Sequence, residues 1–242
     1  MKILICAGIL LLFLPLFLFP KPDVILLSFD TELVDSDEVI TGLLDILDKY
    51  DAKATFFVLG ELAEQRPDIV KEISHRGHEI GCHSYSHGNM TGLDYSGQED
   101  EIEMCISAIE DAIGERPVGY RAPYRRENRI TQEILLDKGF KYDATAYENF
   151  PYYSKVDQVK TSSYGIFMLD DYMMIEFFRF SPENYFRILI NYPAKTASFS
   201  FHPHRAVKYS KDFEAVMGFW YERDVTFMTH SGFYDKPALI QK

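Results

Sequence analysis

The residues best suited to chemistry in this chain are two acids one residue apart and two histidines four residues apart. Asp30 and Glu32 flank Thr31, and His83 and His87 enclose three residues. On a helical turn, the histidine spacing would bring both imidazoles to one face, where they can share a metal ion. Glu32 would complete a set of two histidines and one carboxylate, which suits zinc, iron or cobalt and leaves positions open for water and substrate.

A metal ion held in this way acidifies a bound water molecule and polarises a carbonyl group. A second carboxylate close by can then act as general base. Asp30 fits that role, because alternate residues of a strand point to the same face and Asp30 would therefore lie on the side of Glu32. The two acids and two histidines together indicate metal-assisted hydrolysis.

Short apolar runs alternate with stretches of helical periodicity, which predicts a parallel sheet with crossover helices. The predicted strands are Val24–Ser28, Ala54–Leu59, Glu79–Cys82, Val118–Arg121, Tyr142–Thr145, Ile166–Leu169, Thr196–Phe201 and Val225–Met228. The predicted helices cover residues 37–50, 67–77, 98–113, 131–137, 182–191 and 211–223, and residues 147–165 are predicted to form a loop. Seven or eight such units are typical of an α/β barrel.

The carboxyl ends of parallel strands meet at one rim, and that rim carries the active site in folds of this kind. The residues that follow the predicted strands are polar: Asp30, Glu32, His83, His87, Arg121, Tyr124, Asp143 and His202. We therefore expect these side chains to converge on one site.

The same residues carry a resemblance to a known family. The chain resembles the polysaccharide deacetylases, also called the NodB-homology domain or carbohydrate esterase family 4, in four motifs along residues 24–230. The family motifs TFDDG, H-S/T-x-x-H and RxPY, and a final strand ending in histidine, are matched by Ser28–Glu32, His83-Ser84-x-x-His87, Arg121-Ala122-Pro123-Tyr124 and Phe201-His202-Pro203.

The resemblance implies a distorted (β/α)7 barrel of parallel strands and metal-dependent hydrolysis of N-acetyl groups on amino sugars, with metal-bound water as the nucleophile. Asp30 would be the base, and Arg121 would hold its carboxylate ionised. The backbone amide of Tyr124 would stabilise the oxyanion, and His202 would protonate the leaving amine. His83 and His87 would bind the divalent metal, with zinc favoured over iron or cobalt.

Two motifs depart from the family pattern. Thr31 stands where the family has a metal-binding aspartate, so Glu32 is expected to be the ligand in an Asp-x-Glu variant of the first motif. The segment Gly139–Thr145 only partly resembles a further motif of the family, which normally offers an Asp-Trp pair, and Asp143 would be the orienting residue there. The Phe-His-Pro sequence resembles a branch that includes allantoinase-like hydrolases without metal, although those lack the two metal histidines that this chain keeps.

Two other functions stay open. One is hydrolysis of a small non-peptide amide in the same fold, with or without metal. The other is a catalytically silent domain that binds carbohydrate, against which the joint presence of Asp30, Arg121 and His202 argues.

The charge of the chain argues against nucleic acid as a partner. The 242 residues include 25 basic and 37 acidic side chains, a net charge of −12. Phosphate binding needs a positive patch, and the same negative charge disfavours attraction to an anionic lipid surface. Cys82 and Cys105 are the two cysteines outside the apolar leader, so at most one disulfide can form in the domain.

The chain opens with 17 apolar residues, from Ile3 to Phe19, between two lysines. A membrane span needs about 17–25 residues, and no small residues that would favour signal cleavage follow the run. We therefore predict two segments, a hydrophobic anchor over residues 1–22 and a catalytic domain over residues 23–242. A cleaved signal and a buried helix are the alternatives. The anchor would make the membrane a partner and leave the catalytic domain outside the cytoplasm.

Overall fold

A computed structural model describes residues 23–145, 160–161 and 196–236 of the chain. Strands and helices alternate through most of this part. The strands are β1 (Val24–Thr31), β2 (Thr55–Val58), β3 (Glu79–Cys82), β4 (Gly119–Tyr120), β5 (Tyr142–Asp143), β6 (Lys160–Thr161), β7 (Thr196–Phe201) and β8 (Thr226–Met228). The helices are α1 (Asp37–Lys49), α2 (Gly60–Gln65), α3 (Pro67–His75), α4 (Tyr95–Ile113), α5 (Arg129–Asp137), α6 (Pro203–Lys208), α7 (Ser210–Tyr221) and α8 (His230–Tyr234).

The strands form one parallel sheet in the order β6-β5-β4-β3-β2-β1-β7, and β8 also pairs with β1. Because every pair is parallel, the strands end at the same rim. Register keeps neighbouring ends level: Asp30 pairs with Phe57, and Phe29 with Phe201. The sheet curves into a half-barrel covered by helices, which agrees with the predicted barrel of the NodB type.

The sheet is held by a core of apolar side chains from the strands and the helices that cover it. Phe29 on β1 packs between Phe56 and Phe201, with ring centroids 5.1 and 5.8 Å away. Every residue of β1 is buried, as an apolar run in a parallel sheet requires. Helix α1 turns its apolar face, which includes Leu43 and Leu47, to this core.

Local signals in the sequence set the helix boundaries. Ser36 caps α1 by accepting a hydrogen bond from the amide of Val39. Helix α4 starts at Tyr95, three residues earlier than predicted, because Asp94 caps it, and it ends at Gly114 with φ of 75°. Asn128 and Thr131 form a reciprocal cap at the start of α5.

Several predictions concern residues outside the described ranges. These are the leader over residues 1–22, the strand at 166–169 and the helix at 182–191. The predicted loop over residues 147–165 is wrong in part, because β6 pairs with β5 inside it. Within the described ranges, no helix is both long enough and apolar enough to span a bilayer.

Cys82 and Cys105 form a disulfide, with Cα atoms 6.1 Å apart. The sequence left this pairing open. The bond joins the last residue of β3 to the middle of α4, and both cysteines are fully buried. It therefore fastens α4 directly behind the strand end that carries His83.

Candidate active site

The predicted residues lie at the carboxyl ends of four strands. Asp30 is the seventh residue of β1 and Glu32 follows its end. The other residues follow β3, β4 and β7 in turn: His83, His87, Arg121, Tyr124 and His202. Because β4, β3, β2, β1 and β7 are consecutive in the sheet, these side chains share one rim.

Glu32, His83 and His87 offer ligand atoms that lie within 4.8 Å of one another. The Nδ1 atom of His83 lies 2.8 Å from the carbonyl oxygen of Arg121, so this nitrogen donates to the backbone and Nε2 is left for a metal. Burial lowers the pKa of His83 to about 4, although the charge of Asp30 opposes that shift. A neutral imidazole with a fixed ring nitrogen is what a metal ligand requires. These three residues therefore fit a divalent metal.

Thr31 does not belong to this group. Its hydroxyl is buried and donates to the carbonyl of Phe29, 3.3 Å away. Glu32, one residue later, brings its Oε1 to 3.1 Å from Nε2 of His87 and to 3.2 Å from Nε2 of His202. Burial alone would raise the pKa of Glu32, but hydrogen bonds from His202 and His87 hold that pKa well below its usual range.

The two histidines meet for a different reason from the one the sequence suggested. The expected helical turn is wrong, because residues 83–88 form an irregular loop. Ser84 and His87 have φ of 63° and 64°, a left-handed conformation that non-glycine residues adopt at some cost. The loop is anchored by Glu101 of α4, whose carboxylate accepts hydrogen bonds from the amides of Tyr85 and Ser86. The rings of the two histidines end 5.3 Å apart.

Asp30 and Arg121 form a buried ion pair, with Nη1 2.6 Å from Oδ1. Arg121 is fully buried, and it also donates to the hydroxyls of Ser28 and Ser200 and to the carbonyl of Ala144. Burial acts to raise the pKa of Asp30, but the Arg121 and Arg125 guanidinium groups outweigh it and hold that pKa well below its usual range. Asp30 is therefore ionised and fixed in direction, as the resemblance implied.

Arg125 is a site residue that sequence analysis missed. Its Nη2 lies 3.9 Å from Oδ2 of Asp30 and donates to Ser200, while Nη1 donates to the carbonyl of Ala144. Tyr124 and Arg125 both have φ of 55° in the turn after β4. The one available signal was a basic residue directly after Tyr124.

The ring of Tyr124 lies at the surface beside His87. It is 61% exposed, and its centroid lies 4.6 Å from that of His87. Asp143 accepts hydrogen bonds from the amide and hydroxyl of Thr145, whose hydroxyl accepts from the amide of Ala122. Asp143 thus supports the turn that carries Tyr124. The oxyanion role of the Tyr124 amide stays a prediction.

His202 lies at the mouth of the site, with a side chain that is 32% exposed. Its Nε2 lies 3.2 Å from Oε1 of Glu32. Asp170, Asp171 and the aromatic residues at 147, 150, 152 and 153, which could line a substrate cleft, fall outside the described residues. The arrangement combines a fixed carboxylate, three residues that fit a divalent metal and an accessible imidazole, which suits hydrolysis of an uncharged amide or ester.

Comparison with known proteins gives a family match. The family model described as polysaccharide deacetylase matches residues 20–142. A peptidoglycan deacetylase from Helicobacter pylori is 39% identical over 119 residues, which is 48% of this chain and 41% of the relative. The match spans less than half the length of the relatives compared.

Solved structures share the fold. A family 4 carbohydrate esterase from Streptomyces lividans, solved with acetate, is similar with a TM-score of 0.62 and 19% identity, over 84% of this chain and 91% of that one. A family 4 pseudoenzyme from Bacillus anthracis is similar with a TM-score of 0.61 and 20% identity, over 88% of this chain and 65% of that one. At such identities the likeness concerns the fold.

Proposed function

The chain belongs to the polysaccharide deacetylase family, and on that premise we propose that it hydrolyses N-acetyl groups from an amino-sugar polymer or glycoconjugate. The observation that carries the proposal is the pairing of Asp30 with Arg121 beside the Glu32, His83 and His87 triad. The similarity to a peptidoglycan deacetylase favours peptidoglycan as the polymer.

Glu32, His83 and His87 would hold the divalent metal, with zinc as the first choice. A metal bound there supplies acidification of water and polarisation of the acetyl carbonyl. The protein supplies the base: Asp30 takes a proton from the water that attacks the carbonyl carbon. Arg121 keeps the Asp30 carboxylate ionised and aimed, because its guanidinium is buried against Oδ1 at 2.6 Å.

The C–N bond breaks when the sugar nitrogen gains a proton. His202 would give that proton from Nε2, which faces the metal triad. The products are acetate and a free amine on the sugar. The exposed ring of Tyr124 is suited to stack on the sugar, while its amide would donate to the oxyanion that forms during attack.

The direct test measures metal content and acetate release on the full chain. We expect about one zinc, iron or cobalt per chain, and none in the His83→Ala/His87→Ala variant. N-acetylglucosamine oligomers and peptidoglycan should release acetate, a chelator should abolish the release, and added metal should restore it. His75→Ala, an exposed histidine on α3, is the matched control.

Two outcomes would contradict the proposal. A folded parent that binds no metal after reconstitution would exclude this mechanism and favour a metal-free hydrolase of a small amide. A parent that binds metal but releases no acetate from either glycan, and whose Asp30→Asn variant has the same biological effect, would favour the silent carbohydrate-binding function.

We also propose that residues 1–22 anchor the chain in a membrane, with the domain of residues 23–242 outside the cytoplasm. The Cys82–Cys105 disulfide supports this location, since such bonds persist in oxidising compartments. Alkaline carbonate extraction should leave the full chain in the membrane fraction, and protease added to spheroplasts should digest the domain. Release by carbonate, or protection from protease, would contradict it.

A further inference from the structure

Asp35 is a fully buried carboxylate that the mechanism above does not use. Its Oδ2 accepts a hydrogen bond from the amide of Glu32, 2.9 Å away. Its Oδ1 accepts a hydrogen bond from the amide of His204 at 2.9 Å and lies 2.8 Å from Nδ1 of the same residue. One side chain therefore joins the loop after β1 to the first turn of α6, 169 residues along the chain.

Each of these two segments carries a residue of the proposed site. The loop after β1 bears Glu32, while His202 lies between β7 and α6 as the N-cap residue of α6. The side chains meet at 3.2 Å, between Oε1 of Glu32 and Nε2 of His202. Since β1 and β7 are neighbours in the sheet, the contacts of Asp35 close the space just beyond their ends.

The Asp35 side chain closes the turn from Glu32 to Asp35, but helix α1, which follows this turn, does not need it. Ser36 is the residue that caps α1, and Asp37 is the carboxylate that pairs with Arg66. The carbonyl of Asp35 does accept from Arg66, at 2.7 Å, but any residue offers a carbonyl. The contacts specific to the Asp35 side chain are those to Glu32 and His204.

We propose that Asp35 and His204 are positioning residues for the metal ligand Glu32 and the acid His202. This inference rests on the proposed function and adds to it a pair of residues outside the family motifs. We call the contacts of Asp35 with Glu32 and His204 the clasp. The clasp fixes the backbone of Glu32 on one side and the first turn of α6, which His202 caps, on the other, so both side chains are in place before metal or substrate binds.

Substitution of Asp35 by Asn tests the clasp without changing its size. An amide has only one acceptor oxygen, so its NH2 group must face either the Glu32 amide or the His204 amide, and neither can accept. His204→Ala is milder, because it removes the Nδ1 contact and leaves the backbone donor of residue 204. Asp37→Asn, the same change two residues along, is the matched control.

The experiment measures Zn²⁺ affinity of the full chain by competition with a chromogenic chelator. We expect Asp35→Asn to weaken zinc binding by about tenfold to a hundredfold and His204→Ala to weaken it less, with Asp37→Asn unchanged. The double variant should be no worse than Asp35→Asn alone, because both changes break the same clasp. Hydrogen exchange of the metal-free protein should be faster over residues 32–35 and 202–205 in Asp35→Asn, and elsewhere unchanged.

The outcomes separate this inference from the proposed function. A parent that binds no zinc overturns both. A parent that binds zinc, with Asp35→Asn and His204→Ala binding within twofold of it, overturns the clasp alone, even when both variants melt at a lower temperature. If Asp35→Asn does not fold, the His204→Ala variant decides the question. Weaker zinc binding by His204→Ala, together with faster hydrogen exchange at residues 32–35, supports the clasp. A zinc affinity or an exchange rate equal to that of the parent rejects it.

Discussion

At the scale of single residues, two guanidinium groups orient the carboxylate of Asp30 and lower its pKa. Arg121 contacts Oδ1 directly, and Arg125 approaches Oδ2 to 3.9 Å. Both side chains also donate to Ser200. This second cation goes beyond the roles that the sequence motifs imply, and it lies in a turn whose left-handed φ angles carry a cost that functional sites commonly bear.

Replacing Arg125 by Met should move the acid limb of kcat/KM to higher pH. Removal of a positive charge raises the pKa of Asp30, and a base works only when it is ionised, so activity is lost at a higher pH than in the parent. A pH profile of acetate release measures the shift. Arg126→Met, at the exposed neighbour, is the control. An acid limb that coincides with that of the parent would contradict the assigned role.

Glu127 provides a second pH effect, on stability rather than activity. Burial and the negative charge of Asp143 hold the pKa of Glu127 well above its usual range, so the folded protein keeps a proton there that the unfolded chain releases. Stability from this group is complete below pH 4.5 and decreases as the pH rises towards the folded pKa.

Glu127→Gln should therefore be more stable than the parent in alkaline solution. The difference in unfolding free energy should grow by up to about 1.4 kcal/mol per pH unit above the pKa of the unfolded chain. Urea unfolding at pH 5, 7 and 9 measures it, with the exposed Glu115→Gln as control. A constant difference across these three pH values would disprove the assignment.

At the scale of elements, the site depends on how loops leave the strand ends. The loop after β3 is held by Glu101 of α4, and α4 is fastened to β3 by the Cys82–Cys105 disulfide. The geometry of His83 and His87 thus depends on Glu101 of α4, which lies 15 residues beyond Ser86. We therefore expect α4 and the loop after β3 to lose their native positions together when the disulfide is broken.

Loss of the disulfide should destabilise the protein and weaken metal binding. Closing a loop of 23 residues is worth about 3 kcal/mol by the chain-entropy argument. We expect the Cys82→Ser/Cys105→Ser variant to lose roughly that much unfolding free energy, measured with urea. The parent protein with its disulfide reduced should show the same loss. Cys6→Ser, in the leader, should match the parent. Equal stability of parent and double variant would show that the bond does not form in solution.

At the scale of the whole molecule, the end of the sheet opposite the site is closed by a buried polar network. The Glu79 carboxylate accepts hydrogen bonds from the hydroxyls of Tyr142 and Thr55 and from the amide of Ser231. These contacts tie β3 to β5, to β2 and to α8. Gly119 makes room for this closure, because a Cβ atom there would collide with the ring of Tyr142.

Tyr142→Phe should lower the unfolding free energy by about 1–3 kcal/mol, since the buried carboxylate of Glu79 loses one of its donors. The same loss raises the pKa of Glu79 further, because that hydrogen bond opposes the effect of burial. Urea unfolding at pH 7 measures the change, with Tyr95→Phe, on an exposed ring, as control. Equal losses in the two variants would exclude a role for the network.

The sequence alone determined that strands and helices alternate and which residues follow β1, β3, β4 and β7, although it missed β6 and the short helices α2, α6 and α8. Apolar runs such as those of β1 and β7 are local signals, and parallel strands end at the same rim of a sheet. The positions of Asp30, Arg121 and His202 at that rim could therefore be predicted from the sequence. Only the tertiary structure showed that a left-handed loop brings His83 and His87 together, that Arg125 reaches Asp30, and that Asp35 joins the loop of Glu32 to the first turn of α6. The reason is physical: the last two contacts join side chains far apart in the chain, and the loop of His83 and His87 is held from outside by Glu101, so no local periodicity or spacing encodes them.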